Sequence, residues 1–269
     1  MSAWLANRGV QYETWELEIV PKRFKTSDTV FILGSGPSVN DFAKEQWEHI
    51  SKHDSIGLNW WPLHDFVPTY YYTNYPRDPR IFRRFARTLG PKIKRDYGDT
   101  LFLVSGDRAR CRGIHPRVFP NIFPDNANLC FYAYPKPIRF ENEPKHADFA
   151  DGVFHRGALT LALDLMLKIG YRNVVLVGID LNDRSHFYDK RPEMAWQFET
   201  GYRGGDSPEE VKRIPSVSEE TSGKRKLPLS EYMGIVNEFH FEPNGLKLFT
   251  TSKKSKLPDT IPFYAFTTK

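Results

Sequence analysis

The chain has 269 residues, 40% of them hydrophobic, with a formal net charge of +5. It is long enough for one large α/β domain carrying an insertion and apolar enough to bury a core, which excludes an intrinsically disordered chain. The charge is too modest to demand nucleic acid, and it favours anionic small molecules or an anionic membrane surface.

Residues 1–22 mix Trp4, Arg8, Glu13, Glu16 and Glu18, and no later run approaches the roughly 20 apolar residues of a spanning helix, so a soluble, unprocessed chain is expected. Cys111 and Cys130 lie in different segments without Cys-x-x-Cys spacing, which indicates neither a disulfide framework nor a zinc site and makes a reducing cytoplasm the simplest compartment. The first 28 residues, with Tyr12, Trp15, Leu17 and Ile19 among charged neighbours, read as an extension that supplies an edge strand or a clasp.

Val30-Phe31-Ile32-Leu33 then stops abruptly at Gly34-Ser35-Gly36-Pro37-Ser38. This is the pattern of a buried parallel strand whose carboxyl end opens into a phosphate-binding turn, with glycines for close approach and the N–H groups of the next helix as anion donors. An ordinary strand-to-helix turn reads the same way, because the full dinucleotide fingerprint is absent. Phe42, Trp47 and Ile50 share a helix face, with Asn40 or Asp41 available as N-cap. Residues 55–58 and 69–72 read as two more strands, ending at Asn59 and Asn74, each either a ligand contact at the rim of the sheet or a turn residue.

A helix is expected over residues 81–89, closed by Gly90-Pro91. Its Arg80, Arg83, Arg84 and Arg87 share a face that suits either solvent or anionic headgroups. Residues 100–104 and 128–132 read as further strands, joined by a connection rich in proline and arginine. Residues 157–169 are apolar nearly all round, the mark of a deeply buried helix, and Gly170 ends it. Residues 173–178 form a β-branched central strand that leads to Asp180, Asn182 and Asp183, then to His186 and Tyr188.

Residues 189–228 lack periodicity and read as a lid or flexible insertion, after which residues 229–239 and 246–250 supply a helix, with Ser230 as its N-cap, and a last strand. The expected architecture is therefore a Rossmann-like, mostly parallel α/β core over 29–188, completed by 229–269. Asp180 and Asp183 can be read as ligands of a hard cation, but a capping and a solvated carboxylate fit better, and no metal is expected.

Gly34-Ser35-Gly36-Pro37-Ser38, Asn59, Asn74, Gly157-Ala158 and the run from Gly170 to Asp180 resemble the bacterial sialyltransferases of glycosyltransferase family 42. At lower resolution they are similar to a wider superfamily with flagellin-glycosylation motility accessory factors and hydroxymethylpterin diphosphokinases. The resemblance implies a GT-A-like variant of the Rossmann-like fold. It further implies metal-independent transfer of a sialic-acid-like sugar from a CMP-sugar donor to a glycan acceptor in surface polysaccharide biosynthesis, without a cofactor.

On the same resemblance, Gly34, Ser35, Gly36, Pro37, Ser38, Asn59, Asn74, Arg156, Gly157 and Asp180 bind the nucleotide, and Tyr188 donates to the departing phosphate. Asn182 stands where the family has a second tyrosine. The family's general-base histidine is replaced by Glu219-Glu220-Thr221-Ser222-Gly223, which leaves His186 as the nearest substitute, with His155 and Glu219 behind it. Expected partners are the donor and acceptor, an anionic membrane met peripherally at the inner face, and a second copy of the chain. The alternatives are a diphosphokinase using ATP and magnesium on a pterin-like alcohol, and a non-catalytic nucleotide- or glycan-binding protein.

Overall fold

A computed structural model describes residues 12–15, 17, 19–73, 79–105, 122–132, 153, 155, 157–219 and 227–266. Among the described residues eight strands form one sheet: β1 (Tyr12–Trp15), β2 (Thr29–Leu33), β3 (Asp54–Leu58), β4 (Tyr70–Tyr72), β5 (Leu101–Ser105), β6 (Ala127–Tyr132), β7 (Asn173–Val177) and β8 (Lys247–Thr250). Their order is β1-β6-β5-β4-β3-β2-β7-β8, and every pairing is parallel. The Rossmann-like α/β expectation holds, and the amino-terminal strand lies at the far edge beside β6.

From β2 the chain winds outward through β3, β4 and β5 to β6, then returns to the other side of β2 as β7 and β8. The winding direction therefore reverses between β2 and β7. Ligand crevices of open parallel sheets lie at this reversal, outside the carboxyl ends of the strands.

Alternate residues of each central strand feed two apolar layers, as the period of two requires. Val30, Ile32, Val174 and Leu176 face the Gly157–Ile169 helix and the Leu229–Val236 helix, whose Leu161, Met166, Tyr232 and Val236 are fully buried. Phe31, Leu33, Val175 and Val177 belong to the other layer, where Phe31 lies against His49, His53, Tyr264 and Phe266 and to which the Pro79–Asp96 helix adds Phe82, Phe85, Leu89 and Ile93. Both central strands are thus covered on two sides, which explains their unbroken apolar runs.

Two helix boundaries depart from expectation. The Pro79–Asp96 helix continues through Gly90 and Pro91, because Ile93 and Tyr97 beyond the proline are buried and Lys92 Nζ donates to the His64 carbonyl at 2.8 Å. This packing outweighs the one backbone bond the proline removes. After β2 comes a 3₁₀ turn, Pro37–Asp41, and the α-helix starts only at Lys44. Asn40 does not cap it, since its Nδ2 donates to the Phe187 carbonyl at 3.3 Å; Gln46 Oε1 instead accepts the Ala43 N–H at 2.9 Å. Among the described residues no helix is long and apolar enough to cross a membrane.

Candidate functional site

The turn after β2 lies against the end of β7. Gly34 N–H donates to the Val177 carbonyl at 2.7 Å and Gly36 N–H to the Gly178 carbonyl at 2.8 Å. Ser38 donates its N–H to Asp180 Oδ2 at 3.0 Å and its hydroxyl to Asp180 Oδ1 at 2.6 Å. The amides of Gly34, Gly36 and Ser38 are therefore engaged within the protein. Asp180, 7% exposed, holds the turn in place through both its oxygens.

The glycines serve this crossing. A Cβ on Gly36 would stand 2.4 Å from Asp180 Oδ2, and one on Gly34 would stand 2.3 Å from Ile179 Cδ1. Gly178 takes a φ of +64°, and a Cβ there would stand 2.5 Å from Val39 Cγ2. Ser35 is the exception in the turn. It is partly exposed, and its N–H has no acceptor among the described residues.

Around Ser35 the chain gathers groups from far along the sequence. Its carbonyl accepts the Phe187 N–H at 3.0 Å, and its Oγ lies 3.3 Å from His186 Nδ1. Tyr188 is buried against Trp60, with the His186 ring 4.9 Å away, and burial raises its pKa. Burial, then the nearby Arg203 guanidinium, holds the His186 pKa well below the usual range, so the imidazole is neutral. Asp189 fastens the loop: its Oδ2 accepts the His186 N–H at 2.7 Å and its Oδ1 accepts Arg203 Nη1 at 3.1 Å. Burial pushes the Asp189 carboxyl up, against the pull of Arg203.

The stretch that follows Tyr188 carries the Pro192–Met194, Trp196–Glu199 and Pro208–Val211 helical turns, and it buries Met194, Trp196, Phe198 and Val211. Trp196 packs 6.1 Å from Trp60, with the Arg84 guanidinium 5.1 Å from its ring. This segment thus joins the end of β3 to the 79–96 helix, over the same rim. Asp189, Lys190, Arg191, Phe198 and Asp206 line a cavity of about 640 Å³ beside it.

The other expected site residues are placed as follows. Asn59 follows β3 with a φ of 52°, its N–H on the Tyr72 carbonyl at 2.8 Å and its carbonyl accepting the Tyr71 hydroxyl. Asn182 donates to the Lys254 carbonyl at 2.8 Å, which ties its loop to the segment after β8. Gly157 opens its helix at a φ of +75°. Asn74 and Arg156 lie outside the described residues. His155 stacks on Tyr232 at 4.4 Å and bonds the Leu227 carbonyl. Glu219 accepts both the N–H and the hydroxyl of Ser230, so that serine lies inside the helix start and Pro228 is the N-cap.

Asp183 accepts the Ser185 N–H at 2.7 Å and the Ser185 hydroxyl. Among the described residues no three His, Cys, Asp or Glu side chains cluster as metal ligands. Arg203 and Asp189 escaped sequence reasoning because they lie in or beside a segment without periodicity. The Gly201-Tyr202-Arg203-Gly204 run, with both glycines at positive φ, is the local sign of a tightly held turn there.

Fold and site together define a Rossmann-like α/β protein with a polar cluster at the reversal point of its sheet. Comparison with solved structures finds similarity to a crystallised point variant of the sialyltransferase CST-II in complex with CMP. The two share 15% identity over 87% of this chain and 85% of that chain, with a TM-score of 0.47. No protein-family model matches the sequence, and no curated protein does.

Proposed function

We propose that this protein is a metal-independent glycosyltransferase that moves a sialic-acid-like sugar from a CMP-activated donor to a bacterial surface glycan, working in the cytoplasm. The observation that carries this reading is Ser35: a partly exposed residue with an unengaged N–H at the reversal point, its Oγ beside His186, next to which Tyr188 packs. The family resemblance of residues 34–38 and 170–180 supports it from the sequence side.

In this reading the acceptor hydroxyl attacks the anomeric carbon as the bond to the phosphate oxygen breaks and CMP leaves. The Ser35 N–H and hydroxyl donate to the departing phosphate. With His186 Nδ1–H donating to Ser35 Oγ, Nε2 of the neutral ring takes the acceptor's proton. The exposed Arg80, Arg83, Arg84 and Arg87 row supports peripheral contact with an anionic membrane near the glycan.

Isothermal calorimetry with CMP, UDP, ATP plus magnesium, and S-adenosylmethionine tests the reading. CMP is the expected ligand. Binding of ATP with magnesium and not of CMP would overturn it in favour of phosphoryl chemistry.

A further inference from the structure

Buried polar groups without partners are uncommon in folded proteins, and each calls for a reason. Trp196 Nε1, both side-chain polar atoms of Gln197, and Arg203 Nη2 are all buried with no partner among the described residues. All belong to the short segment that crosses the rim.

Arg203 is the most consequential of them. Its side chain is 7% exposed, and only one arm of the guanidinium is engaged, by Asp189. The planar fork of arginine is built to hold oxyanions through two parallel donors, and the second is unused. Arg203 stands close enough to His186 and Tyr188 to shift both, so its charge acts on the Ser35 cluster. Asp189 also borders the 640 Å³ cavity, together with Lys190 and Arg191. Ligand pockets run from about 300 to 1,000 Å³. The Arg203–Asp189 pair therefore stands between the Ser35 cluster and an opening of ligand size, whose rim carries Lys190 and Arg191 together with Glu199 and Asp206.

We propose that Arg203 is an oxyanion anchor of this protein, binding a phosphate group of the ligand through Nη2 while Asp189 holds Nη1. This rests on the nucleotide reading for the ligand's identity, but the anchor itself is a property of the buried guanidinium. Lysine at this position keeps the charge beside Asp189 and removes the second donor.

The experiment is calorimetry of the wild type, Arg203→Lys and Arg203→Met with CMP, cytidine and inorganic phosphate, the fold of each variant being checked by circular dichroism. The expected result is CMP binding weakened at least tenfold in Arg203→Lys with cytidine binding unchanged, and inorganic phosphate binding lost with it. Equal CMP affinity in wild type and folded Arg203→Lys overturns the anchor and leaves the nucleotide reading standing. A wild type that binds phosphate through Arg203 but neither CMP nor cytidine sustains the anchor and sinks the nucleotide reading. A wild type that binds none of the three overturns both. Should Arg203→Met fail to fold, Arg203→Lys decides alone.

Discussion

Ser38 donates to Asp180 twice, through its N–H at 3.0 Å and its hydroxyl at 2.6 Å, across 142 residues of sequence. This pair closes the crossing of the β2 turn over the end of β7 and so sets where Ser35 stands. Asp180→Ala leaves both partly buried Ser38 donors without their acceptor, at a cost of about 1 kcal/mol or more for each. Ser38→Ala removes one bond and costs about 1 kcal/mol. Urea denaturation is expected to rank Asp180→Ala well below Ser38→Ala; the reverse order would contradict the double bond.

Two glycines at positive φ separate backbone strain from overlap. Gly245, at a φ of +77°, has open space around a built Cβ, whereas Gly178 has Val39 Cγ2 at 2.5 Å. Gly245→Ala carries the conformational penalty alone, about 1 kcal/mol. Gly178→Ala adds the 1–3 kcal/mol, roughly, of a forced core overlap. Melting curves are expected to place Gly178→Ala clearly lower, and equal midpoints would show that the crossing relaxes.

His186 is held neutral by burial and by Arg203. A base of this kind stays competent as the pH falls through 6.5, because the folded state protonates only well below that value. Donor turnover is expected to persist below pH 6.5 and to drop about 10²-fold or more in His186→Ala. Activity of that variant within twofold of the parent would remove His186 from the mechanism.

Stability in acid turns on another histidine. His64 Nδ1 accepts the Phe66 N–H at 3.1 Å, its ring lies on Trp61 at 4.7 Å, and burial lowers its pKa to about 4 from 6.5. The fold favours the neutral ring, so this contribution is complete above pH 6.5 and is lost as the pH falls toward 4. His64→Asn keeps a side-chain acceptor for the i+2 amide and removes the titration. Its melting temperature is expected to fall less between pH 6.5 and 4 than that of the wild type. Parallel slopes would assign the acid sensitivity elsewhere.

The sheet was legible from local pattern because β2 and β7 are buried on both faces and therefore apolar without interruption. The Gly157–Ile169 helix was legible for the same reason, its bounds marked by two glycines at positive φ. The Pro79–Asp96 helix was truncated in prospect because Gly90 and Pro91 are local stop signals, while the burial of Ile93 and Tyr97 is a tertiary effect. The use of the Gly34 and Gly36 amides was also hidden, since a strand-to-helix turn that binds phosphate and one that grips a neighbouring strand have the same composition.

By itself, then, the sequence determined the α/β class, the buried strands and the turns at their ends, because burial and backbone geometry write themselves into adjacent residues. Only the tertiary structure decided that Ser35 meets His186 across 151 residues, that Asp180 serves the turn, and that Arg203 is buried with one donor unused. Those partnerships follow from strand order and from how the segment after Tyr188 packs over the rim, and neither leaves a periodic signal along the chain.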